Sequence, residues 1–433
     1  MSHPLSIKKQ FLFLMWFASL MAIHLSSQAL PAFARQTGQN CLACHAGGQY
    51  PELTPYGRMF KLTGYTIGER ANPLSAMAVF GASKVKSPDD PNLALNTPTR
   101  NNQFQFETAS LFLAGKITDN IGAFSQVTFD HYSSRDSGGY VGHTAADGID
   151  IRYADQLVDV DNHLVYGVSL NNRPSIVDPW NTSWAWMQYV PSSTSLGSNQ
   201  TIDGGSSGPP YPGNGMAADN LAGVNGYVFL NRSIYAELGL YRTASSGLRW
   251  LNAGHPQINS TLRGVNPYWR LAYSKEWGAQ NLMVGLSGMT SHQYDSADLG
   301  LNRGDASYYQ TSKVKGFDAQ YQYLLDPHTV TLQFAQQRQD YIAGLNYSTP
   351  GTNLNLARAK ASYVYQARYG TSLAYFNQPG DVTMATRGST FEVFYMPLQY
   401  VRLGLQFTDY SRFAGLTTPS NANSVRFYVW TAY

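Results

Sequence analysis

Charge is scarce in this sequence of 433 residues: Asp, Glu, Lys and Arg make up 13% of it, against roughly 25% in a typical soluble protein. The formal net charge is only +3, and no run of Lys or Arg appears, so a nucleic-acid partner is not expected. Cysteine is scarcer still, with 2 in the chain, which excludes a disulfide framework. Long apolar runs are missing after the N-terminus. A spanning helix needs about 20 consecutive apolar residues, so membrane helices are excluded for the mature chain.

Aromatic residues, by contrast, reach 13%, with 30 Tyr, and Gly numbers 39. The first residues read as a secretory signal peptide: Lys8 and Lys9, an apolar core from Phe11 to Leu25, then small residues. Ser27-x-Ala29 and Ala32-x-Ala34 are both suitable cleavage sites, so residues 1–29 are assigned to the signal, with cleavage as late as 34. Export through the Sec pathway is the expectation, and it places both cysteines outside the cytoplasm.

From residue 73 to 433, segments of about ten residues alternate in polarity, the period-two signal of a transmembrane barrel. In "SIYAELGLYR", Ile234, Ala236, Leu238 and Leu240 share one face, and Tyr235, Glu237, Gly239 and Tyr241 the other. "HTVTLQFAQ" and "YVRLGLQFT" repeat the pattern. One face suits lipid and the other a wet lumen. About sixteen such segments can be counted, and their links alternate between short ("KITDN", "NR", "EWGA") and long. Barrels of the bacterial outer membrane have short periplasmic turns and long external loops, so both chain ends are expected in the periplasm. The fold class is therefore all-β: an antiparallel outer-membrane barrel of about 16 strands. A soluble β-sandwich would also show many strands, but its links need not alternate in length.

Between the signal and the barrel, at residues 30–72, stands Cys41-Leu42-Ala43-Cys44-His45. Cys-x-x-Cys-His is the attachment pattern of a c-type haem: two thiols form thioethers to the vinyl groups and the imidazole takes the iron. Zinc would want a fourth ligand at recognisable spacing, and a redox dithiol would want a βαβ surround; neither is present. A plain disulfide is the remaining alternative after export. A segment this short rarely folds alone, so a monohaem cytochrome c plug leaning on the barrel wall is expected.

"FARQTGQNCLACH", "PELTPYGRMFKLTGYT", "NPLSAM" and "LNNRPSIVDPWNTSWAW" together resemble the fused cytochrome-porin family of bacterial outer-membrane proteins, which includes iron oxidases. The resemblance covers the signal, the haem segment and the barrel. It implies one covalently attached haem c in a sixteen-stranded porin. It also implies an oxidoreductase that takes electrons from extracellular Fe(II) and passes them to a periplasmic carrier, such as a soluble cytochrome or a copper protein. The alternatives are export of electrons to extracellular acceptors, or a diffusion porin with an accessory haem.

The iron's second axial ligand is open. Met77 is favoured because it shares a barrel-strand face with Ser75, Gly81 and Ser83, the face turned to the lumen. Met59 is the runner-up, and His163 and His328, near short turns, are further candidates. Trp180, Trp184 and Trp186 either wall off the haem from above or form an interfacial girdle. Asp178 and Glu107 are weak candidates for attracting a hard cation.

Overall fold

The computed structural model describes residues 31–48, 52–87, 101–136, 139–182, 221–244, 248–251, 260–295, 306–346, 353–379, 385–413 and 416–433. The signal peptide and the junction at residues 29 and 30 lie outside them.

The wall begins with β1 (Leu74–Val85), β2 (Gln105–Lys116), β3 (Ile121–Asp136), β4 (Gly139–Val158) and β5 (His163–Asn171). It continues through β6 (Leu221–Leu230), β7 (Ile234–Thr243), β8 (Ser260–Leu262), β9 (Asn266–Trp277), β10 (Gln280–Asp295) and β11 (Tyr309–Leu325). It ends with β12 (His328–Ala343), β13 (Leu354–Tyr365), β14 (Tyr369–Gln378), β15 (Thr386–Leu398), β16 (Val401–Arg412) and β17 (Ser424–Ala432).

Apart from β8, the strands pair antiparallel with their neighbours in order, β7 with β9, and β17 pairs with β1, so the sheet closes on itself. Seventeen strands fill sixteen positions, because three-residue β8 and the longer β9 both pair along β10. The strands begin within a few residues of where alternation places them. The main difference is in β3 and β4, which at 16 and 20 residues run well past the segments of about ten read from the sequence.

Alternation decides which face each residue takes. Leu238 and Leu240, Leu332 and Phe334, and Phe391 and Val393 face outward and are exposed, while Glu237, Gln333 and Glu392 on the same strands are buried inside. An apolar exterior around a closed sheet is the surface of a barrel that spans a membrane. Among the described residues no helix is long and apolar enough to cross one.

The links at one end are tight. Asn231 and Arg232 have φ of 50° and 55°, and Gln366 and Ala367 both 52°, the two-residue turns with positive φ whose twist matches paired strands. The N-terminal segment is tucked into this end. Its α1 (Pro31–Thr37) lies against β1 and β2, followed by the single turn α2 (Cys41–Cys44) and α3 (Pro55–Leu62). The Gln36 amide donates to Tyr65 O at 2.6 Å and its oxygen accepts from Lys116 N at 2.8 Å, joining segment to wall. Phe33 stacks on Tyr65 at 5.5 Å and meets Phe60 edge-on at 4.8 Å.

Toward the long-loop end the inner face is less wet than alternation alone suggests. Val85, Phe376, Tyr410 and Phe413 pack there around Ala422, and Leu221, Tyr241, Tyr268 and Met289 pack opposite.

Candidate functional site

The site is built by a chain that doubles back on itself. The Asn40 side chain accepts from Ala43 N at 3.3 Å and so starts α2. One turn brings Cys41 and Cys44 to the same face, and His45 N donates to Cys41 O at 2.8 Å as the helix ends. His45 is extended, with φ of −118°, and bridges Leu53, while Ala46 N donates to Glu52 O at 2.9 Å. The reversal runs through Gly47 and Gly48, at φ +59° and +73°. A Cβ on Gly47 would also stand 2.9 Å from Val364 Cβ, so both backbone and space require glycine there. Thr54 then caps α3, accepting from Gly57 N at 3.1 Å, and its own N–H donates to Cys44 O at 2.9 Å. A Cβ on Gly57 would overlap the Cys44 carbonyl, which measures how closely α3 is laid on the Cys-x-x-Cys-His turn.

The barrel supplies the other walls. Cys41, 2% exposed, packs with Val79, Tyr428, Trp430 and Ala432, and Met77 lies against that cluster. Its sulfur is 3.9 Å from Gln399 O in the turn between β15 and β16. The two cysteines are not joined to each other. Burial, with Cys41 beside it, pushes the Cys44 thiol up to about 11. Thus Cys41, Cys44 and His45 are consecutive on one turn, and Met77 is brought to the Cys41 side from the lumen-facing register expected of it. Two thiols, an imidazole and a neighbouring thioether are a donor set that fits a c-type haem.

Met59 goes elsewhere: it packs on the cluster of Leu62, Trp180, Tyr235 and Met283. His328 faces outward and is bonded to Tyr363, and His163, half-buried at the start of β5 on the parity of Val165 and Ser169, is bonded to Gln156 on β4. A thioether that no sequence motif marks is Met396 on β15, inward and buried, with its methyl 3.8 Å from where a Cβ of Gly48 would be. Its signal was its parity with Glu392 and Phe394, once the register of β15 is known.

Above this turn α3 is bonded to several strands across the lumen. Arg58 donates to Leu53 O, Gln322 and Asn281 at 3.0 to 3.1 Å. Lys61 donates to Asp178 O at 2.6 Å and Asn181 Oδ1 at 2.7 Å, and burial together with nearby Arg152 lowers its pKa to about 7 against the pull of Asp178 and Asp150. Tyr227 OH donates to Leu62 O at 2.6 Å, and Tyr65 OH to Asp150 at 2.6 Å. Residues 172–182, after β5, fold inward over α3. Trp180 is fully buried there, 5.6 Å from Tyr235, so it belongs to the lumen rather than to a girdle; Trp184 and Trp186 lie outside the described residues.

Neither acid suggested for a hard cation stands open. Asp178 is 3.3 Å from Arg270, which also holds Asp318 at 2.7 Å, and Glu107 is bonded by Arg426. Lumen side chains such as Ser169, Asn225, Gln310 and Gln322 are 0% exposed. Sequence reading found the acids; only the closed wall put an arginine beside each.

Fold and site together define a membrane barrel with a Cys-x-x-Cys-His turn in its short-turn mouth. No family model matches the sequence, and no curated protein matches it. Among solved structures it is similar to the outer-membrane channel DcaP of Acinetobacter baumannii, at 9% identity and a TM-score of 0.46, over 83% of this chain and 96% of that one. It is also similar to OprB of Pseudomonas putida, at 11% identity and 0.46, over 83% and 93%. A third is an anion-selective porin from Comamonas acidovorans, at 9% and 0.44, over 83% and 98%. These are likenesses of fold; the closed barrel stands on its own strand pairing.

Proposed function

We propose that this chain is an outer-membrane cytochrome-porin that oxidises extracellular Fe(II) and hands the electrons to a periplasmic carrier. The observation that carries the reading is the docking of the Cys41–His45 turn in the short-turn mouth, with Met77 packed beside Cys41. Cys41 and Cys44 would hold one haem c by thioethers, and His45 and Met77 would be the ligands of its iron. When bound, that group supplies a one-electron acceptor whose potential is raised by Met ligation.

The chain's own residues position and enclose. Cys41 and Gln399 fix the turn to the wall near the periplasmic rim, within reach of a soluble cytochrome or copper protein. Arg58, Lys61 and residues 172–182 fill the lumen above it, so solutes do not pass freely. Cleavage after Ala29 leaves α1, which ties the plug to β1 and β2, whole.

Two measurements test this. Haem staining is expected to survive denaturing electrophoresis when the protein is made with cytochrome c maturation, and Cys44→Ser is expected to lose the normal double linkage. Mixing oxidised protein with Fe(II) anaerobically is then expected to bring up the reduced haem bands promptly. A stained, folded protein whose haem stays oxidised would instead support export of electrons outward.

A further inference from the structure

Among the described residues, Arg173 is the lumen arginine for which neither a hydrogen-bond partner nor an ion-pair partner of the guanidinium is found. It follows β5 directly, at the start of the inserted segment, and is 8% exposed. Its backbone N–H donates to Asn171 Oδ1 at 3.2 Å, but its guanidinium makes no hydrogen bond and no ion pair, and its Nε is buried without an acceptor. Two residues on, the hydroxyl of Ser175, 1% exposed, is likewise buried without a partner. Asp150 is engaged by Arg152, Ser169 and Tyr65, Glu237 by Asn225 and Tyr235, and Asp178 by Arg270, and none of them pairs with Arg173.

The Nη groups of this guanidinium keep contact with water while its Nε does not, and facing an oxyanion the same group forms short, bidentate, charge-assisted bonds. The Ser175 hydroxyl, two residues along the same turn, is a donor of the same sense. We infer that Arg173 and Ser175 form an anion-binding site in the lumen that takes a carboxylate or tetrahedral oxyanion. This stands apart from the haem reading, since both donors belong to the barrel chain after β5. It gives the lumen a preference that the paired acids do not: an anionic solute, or a metal delivered as its carboxylate chelate, is held where a bare cation is repelled.

The test is calorimetric titration of the purified full chain in detergent with sodium phosphate and, separately, sodium citrate, at constant ionic strength set with chloride. Saturable binding is expected, weakened on the order of tenfold to a hundredfold in Arg173→Gln and largely kept in Arg173→Lys. Arg412→Gln, an exposed control, is expected to bind as the parent does. Phosphate binding alone assigns the site to a free oxyanion, and citrate binding alone to a carboxylate. No binding of either anion, or equal binding by parent and Arg173→Gln, overturns the inference, as does an equal loss in Arg412→Gln. If Arg173→Gln does not reach the heat-modifiable folded form, Ser175→Ala carries the test: a loss of roughly two- to tenfold supports the site, and unchanged affinity refutes it.

Discussion

Gly57 offers a sharp test of how the plug is assembled, because two effects of one methyl group oppose each other. Placing Ala at a helix position normally stabilises by about 0.5–1 kcal/mol over Gly. Here the added Cβ would overlap the Cys44 carbonyl oxygen and crowd the carbonyl carbon and Cα behind it. Backbone cannot rotate aside as a side chain can, so α3 and the Cys-x-x-Cys-His turn must separate, at a cost of about 1–3 kcal/mol for a packed interior and more where no atom yields. The clash should win. A net loss of about 1–2 kcal/mol raises the open fraction of the plug by a factor of roughly 5–30. Haem-free protein, produced without cytochrome maturation, reports this through its two thiols. Cys41 is 2% exposed and Cys44 carries a raised pKa, so both should react slowly with a maleimide while docked and faster when α3 lifts. Gly57→Ala is expected to speed labelling of both by that factor. Gly226→Ala, where an added Cβ meets nothing within 4 Å, should leave the rate unchanged. Unchanged or slower labelling in Gly57→Ala would refute the argument that α3 is laid directly on the turn.

Met77→Ala should alter the haem spectrum and lower the potential, while Met59→Ala, whose side chain packs toward Trp180, should change neither; the opposite result moves the distal ligand to Met59. Arg270→Met strands Asp178 and Asp318 in the lumen and should cost about 3–5 kcal/mol in the midpoint of heat-modifiable unfolding. Adding Asp178→Asn and Asp318→Asn should recover much of it, and no recovery argues against charge as the cause. In planar bilayers the intact chain should conduct poorly, given lumen side chains such as Gln310 and Gln322 at 0% exposure; large steady conductance would favour a diffusion porin. An epitope inserted at Leu345 should be labelled on intact cells and one at Val160 should not, the reverse pattern inverting the barrel.

Local periodicity determined the wall. Side chains on a strand alternate between faces without help from anything distant, so the outward set of Leu238, Leu332 and Phe407 and the inward set of Glu237, Gln333 and Gln406 could be read from the chain alone. The Cys-x-x-Cys-His turn is equally local, since one helical turn is enough to place Cys41, Cys44 and His45. Met77 was readable too, because parity along β1 needs no partner strand.

What only the tertiary structure decided is who meets whom across the lumen. Asp178 and Arg270 are 92 positions apart in number, and Glu107 and Arg426 are paired at a separation of 319; closing the barrel creates each pair and turns two apparent cation sites into neutralised ones. Met396 reached the Gly48 turn, and Met59 turned toward Trp180, for the same reason. A strand's alternation says which side a residue faces, but the angular position of that residue around the barrel depends on closure and register. Those are set by hydrogen bonds between strands remote in sequence, as when β17 returns to β1.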